Sequence, residues 1–169
     1  MATTQERIHT IEAAYRRDTD EDRPLRSYAG LLAAYGGVVL TLALAGRRRL
    51  PGRLPAADLA LGAVATFEAA RVLTKDPVTS PLRAPFTRYE GVQGPAELSE
   101  EVRGTGWRHA LGELLTCPFC ISQWLATAIV AGLVAAPRLT RTMLSVLGMV
   151  AVADFLQFAY SEAEQAAEG

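Results

Sequence analysis

The chain has 169 residues, half of them hydrophobic but only 7% aromatic, and a formal net charge of −1. That length holds about one domain and excludes a large multi-domain enzyme, and the near-zero charge excludes a general attraction to nucleic acid. The apolar residues are mainly Ala, Leu, Val and Gly, gathered in long blocks rather than interleaved every three or four positions as in a soluble amphipathic helix.

Residues 1–26 read as a polar tail. Ile8, Ile11 and Tyr15 share one helical face, which suits a short surface helix, and the acidic run at 18–22 is expected to be solvated. Residues 27–45 then carry no formal charge. As a helix they extend about 28 Å, close to the ~30 Å hydrocarbon core of a bilayer. Ala43-Leu44-Ala45 imitates a signal-peptide cleavage site, but the apolar run is too long, acids precede it and Arg47-Arg48-Arg49 follow it directly, so a span rather than a cleaved leader is expected.

A second span is expected at 57–73 although it contains Glu68 and Arg71, three apart and so on one face. A charge at mid-bilayer costs about 2.5–3.5 kcal/mol on insertion scales, which requires these groups to pair or to face protein. The third span is placed at 121–136, closed by Pro137 and Arg138, and the fourth at 143–160, with Asp154 and Gln157 on one face. Residues 161–169 form an acidic tail expected to fray. Gly30, Gly36, Gly37, Gly62, Gly132 and Gly148 offer places for close helix approach.

The loop at 74–117 is longer than a connection needs. Its Pro- and Gly-rich first half reads as extended chain, and residues 106–115 as a short amphipathic helix on the membrane surface. Arg83, Arg88, Arg103 and Arg108 in this loop read as contacts to anionic headgroups. Counting Lys and Arg near the span ends puts both termini in the cytoplasm. The fold class expected is therefore an all-α membrane bundle of about four transmembrane helices, multi-pass in the cell membrane, with the bilayer as its first partner.

The densest polar cluster runs from Trp107 to Trp124. As a helix it stacks His109, Glu113 and Cys117 at intervals of four, and Pro118 suits a new helix start capped by Thr116 or Cys117. A thiol at a helix N-terminus is stabilised as thiolate, so Cys117 and Cys120 are redox candidates. In outline this resembles the four-helix disulfide-forming proteins related to disulfide bond protein B and vitamin K epoxide reductase. Those proteins carry additional cysteines, which this chain lacks. A zinc site on Cys117, Cys120 and His109 is a second reading, short of the four ligands zinc prefers, so no cofactor is expected. Packing thiols that help the chain turn into the third span are the third. Among the span charges, Arg71 is expected to pair with Glu113 or Asp154. Phosphate loops, nucleophile elbows and paired-His motifs do not occur in the sequence.

The strings AARVLTKDPVTSPLRAPFTRYEG and EEVRGTGWRHALGELLTCPFCISQW resemble the bacterial membrane family called domain of unknown function 1360, over about residues 57–160. The resemblance marks Arg71, Asp76, Pro81, Arg83, Gly112, Glu113, Cys117, Pro118, Cys120 and Trp124 as characteristic. It implies a multi-spanning membrane protein without a settled activity. The function expected is a non-catalytic structural, assembly or interaction component, partnered by another membrane protein or a second copy, with thiol-disulfide exchange and zinc binding at CPFC as alternatives.

Overall fold

The computed structural model describes residues 3–15, 23–48 and 51–168; the acidic run at 18–22 together with Arg16, Arg17 and Arg49 lies outside the described residues, as does the side chain of Ile8. A short helix α1 (Thr4–Tyr15) precedes the long helices α2 (Leu25–Gly46) and α3 (Ala56–Lys75). A tight turn at Pro77–Thr79 and the single-turn helix α4 (Ser80–Arg83) lead into strands β1 (Thr87–Gly94) and β2 (Glu97–Val102). Helices α5 (Trp107–Thr116), α6 (Pro118–Ala135) and α7 (Pro137–Glu168) complete the chain.

Proline sets several of these boundaries. Pro24 and Pro55 precede α2 and α3, and Pro118 occupies the first turn of α6, where its missing N–H costs nothing. Asp58 in the first turn of α3 and Lys75 in its last complement the helix dipole.

Among the described residues α2, α6 and α7 are the helices long and apolar enough to cross a membrane; α3, with Asp58, Glu68, Arg71 and Lys75, falls outside that class. Directions follow from side-chain contacts. Asp58 meets Arg141 and, thirteen residues further along each helix, Arg71 meets Asp154, so α3 and α7 run parallel. Tyr35 meets Thr127, and Gly46 and Ala135 line one groove, so α2 and α6 also run parallel. The small core of Ala65, Leu133 and Leu144 lies between α3, α6 and α7. Many large apolar side chains, among them Leu40, Val130, Phe155 and Leu156, stay exposed on the outside.

Three expectations are corrected. The fold is predominantly helical but not all-α, because the loop at 74–117 contains an antiparallel hairpin pairing Thr87 with Val102 and Gly94 with Glu97. Irregularities at Tyr89/Gly91 and Val92/Gly94 break the two-residue alternation by which a strand is recognised. The first half of the loop, expected to be extended throughout, is turned and helical over 77–83 and extended only over β1. Lastly, the acidic tail continues α7 as helix to Glu168 instead of fraying.

Candidate functional site

The polar groups concentrate where the loop meets the ends of the long helices. Arg83 is fully buried, with 0% exposure. Its Nε donates to Glu100 Oε2 at 2.7 Å and its Nη2 to Glu100 Oε1 at 3.1 Å. Nη2 also donates to the Asp76 carbonyl at 3.0 Å, and Nη1 to the Leu73 carbonyl at 2.9 Å and Thr79 Oγ1 at 2.7 Å. All five guanidinium N–H groups are thereby used, which makes burial of the charge tolerable. The Leu73 carbonyl belongs to the last turn of α3, where intrahelical donors run out. Arg83 thus clamps the end of α3 to β2. Asp76 prepares the turn by accepting from Val78 N at 2.7 Å, and Pro81 sits in the first turn of α4, which presents Arg83. The expectation that Arg83 meets lipid headgroups is therefore wrong, since no face of it reaches the surface. Arg103 and Arg108 also donate to the Pro85 carbonyl, although Arg108 is exposed, as is Arg88.

Helix α5 is fastened by Glu113 and Gly112. Glu113 accepts from Arg23 Nη1 at 2.8 Å and from the Tyr28 hydroxyl at the start of α2, with His109 Nε2 3.4 Å away. At Gly112 a Cβ would lie 2.6 Å from Val102 and 3.1 Å from the Phe86 carbonyl, so only glycine lets α5 press onto the hairpin. The chain then turns at Cys117, whose sulfur accepts from Cys120 N at 3.2 Å and caps α6 as the Cys-Pro spacing predicts. Both thiols are free and their sulfurs touch, Cys120 being exposed, with the intervening Phe119 88% exposed. His109 faces Glu113, and among the described residues no three His, Cys, Asp or Glu side chains gather as a metal site.

Residues 61–160 match the family described as protein of unknown function DUF1360. The chain belongs to this family. It is 28% identical over 102 residues to the sporulation protein YjcA of Bacillus subtilis (strain 168), a match covering 59% of this chain and 86% of that one. No solved structure matches.

The other residues singled out by the family resemblance also bind within the protein. Arg71 Nη2 donates to Glu68 Oε1 at 2.9 Å and to Asp154 Oδ2, a three-member cluster joining α3 to α7, with the Glu68 side chain completely buried. Of the two partners expected for Arg71 it takes Asp154, whereas Glu113 belongs to α5 and to Arg23. Trp124 packs edge-on against Tyr35, ring centroids 5.2 Å apart, beside hydrogen bonds from Gln123 Nε2 to the Tyr35 hydroxyl and between that hydroxyl and Thr127. Sequence reasoning missed Glu100, Tyr28 and the Asp58–Arg141 pair. Glu100 carries no local sign of its partner seventeen residues earlier, and Arg141 reads as just another basic residue near a span end.

Proposed function

We propose that this family member is an integral membrane protein crossing the bilayer four times, α3 included, and acting as a non-catalytic structural or assembly component. The observation that carries the reading is the internal use of the family's polar residues: Arg83 and Glu113 hold the head, formed by α4, the hairpin and α5, against the long helices, and Arg71 joins α3 to α7. A catalytic constellation would keep a nucleophile, base or charge donor aimed at open space. Parallel α2 with α6 and parallel α3 with α7 are the directions that four successive crossings require. The α3 charges fit a span because Asp58 and Arg71 are met by α7 at both ends, about 20 Å apart along the helix. The relative's name supports sporulation as the setting; the partner proposed is another membrane protein or a second copy.

Fractionation tests the membrane reading: the chain should sediment with membranes, resist alkaline extraction and need detergent for release. Recovery as a monodisperse species without detergent would sink it. The non-catalytic reading predicts that Glu113→Ala lowers cellular function only in proportion to protein abundance; full abundance with no function would count against it. A second reading, thiol-disulfide exchange, is favoured by the touching, partly exposed sulfurs of Cys117 and Cys120. A mixed disulfide trapped on a Cys120→Ser variant would promote it, although no further cysteine exists in the chain to pass electrons onward.

A further inference from the structure

The end of the bundle remote from α5 carries arginines of two kinds. Arg141 is bound by both oxygens of Asp58, at 2.9 and 2.7 Å. Arg47, Arg48, Arg53 and Arg138 are exposed and, among the described residues, meet no carboxylate. At the head the situation is reversed, since Arg23, Arg83, Arg103 and Arg108 all bind carboxylates or carbonyls of the protein itself. Among the described residues four such arginines thus stand at the remote end, against Arg88 at the head.

Next to Arg47 opens an apolar groove between α2 and α6, about 560 Å³ in volume, whose walls include Val39, Leu42, Gly46, Val130, Ala131 and Ala135. It ends at Tyr35, held across to α6 by its bonds to Thr127 and Gln123. From Gly46 to Tyr35 the helix rises about 16 Å, close to half of a ~30 Å hydrocarbon core. The groove therefore has the depth of one leaflet and stops near the midplane. A neighbouring transmembrane helix would have to continue past that stop; one acyl chain would not.

We propose that this groove binds one acyl chain of an anionic phospholipid whose phosphate is held by Arg47, Arg48 and Arg138. The proposal rests on the membrane-spanning reading above. The apolar walls take the hydrocarbon, and unpaired guanidinium groups at the mouth offer the forked donors that match a phosphate. Arg47 directly follows Gly46 at the end of α2, and Arg138, in the first turn of α7, follows Ala135 by three residues, so both walls of the groove run on into positive charge.

The test is native mass spectrometry of the full chain in non-ionic detergent, offered dioleoyl phosphatidylglycerol and dioleoyl phosphatidylcholine together. At least tenfold preferential retention of phosphatidylglycerol is expected. The Arg47→Gln/Arg48→Gln/Arg138→Gln variant should retain the two lipids equally, and Ala135→Phe, which fills the groove from an exposed position, should lose both without a change in melting temperature. Equal retention by the unaltered chain, or preference surviving in either variant, overturns the proposal. So does a dimer that Ala135→Phe abolishes, because the groove then belongs to a second copy. A chain that sediments with membranes yet shows no preference sinks the lipid site alone, whereas one recovered without detergent sinks the spanning reading as well.

Discussion

Helix α2 has no formal charge between Ser27 and Ala45, yet none of its most apolar eighteen residues is buried within the protein. Helix α3 carries Asp58, Glu68, Arg71 and Lys75, yet it lies against both α6 and α7 and contains Ala65 and Glu68 with no exposed surface. In water this order would be perverse, because apolar area drives burial. Under the spanning reading it is natural: lipid tails satisfy an apolar helix as well as protein does, so the charged helix must take the interior. On that reading hydrophobicity reports contact with lipid, and charge reports contact with protein.

The contrast between the two helices predicts its greatest cost at Arg71. Arg71→Ala should strand buried Glu68 and lower stability by about 3–5 kcal/mol in a denaturant titration in micelles, and adding Glu68→Ala should restore part of the loss. Arg83→Ala tests whether the head obeys the same rule; a loss of comparable size, about 3–5 kcal/mol, is expected from leaving Glu100 and the α3 terminus unpaired, with protease sensitivity appearing first between residues 84 and 106. Gly112→Leu probes steric fit rather than charge and should cost about 1–3 kcal/mol by forcing α5 off the hairpin. The smallest effect belongs to α2. Leu40→Ala, on an exposed face, should change stability by no more than about 0.5 kcal/mol, and a loss as large as that of Arg71→Ala would mean that α2 packs against something other than lipid.

Much of the candidate site was legible because its signals are local. Cys117 capping α6 follows from Cys-Pro at a helix start, and Glu68 with Arg71 follows from a spacing of three. Arg71 reaching Asp154 was foreseeable as one of two options, since a buried cation needs an anion and few were on offer. Arg83 was misread as a headgroup contact because an arginine in a Pro-rich loop gives no local sign that its carboxylate will arrive on a strand formed later in the chain. The hairpin itself escaped notice for a related reason: its irregular register hides the alternation.

That α2, α6 and α7 are apolar enough to cross a membrane and that Pro118 opens α6 were readable from the chain alone, because those properties depend on hydrophobic length, proline and nearest neighbours. That the charged α3 is the inner helix and that Arg83 joins α3 to β2 emerged only from the folded arrangement. Those outcomes depend on which distant groups meet, and a charge is committed to a partner only when folding brings the two within hydrogen-bonding distance.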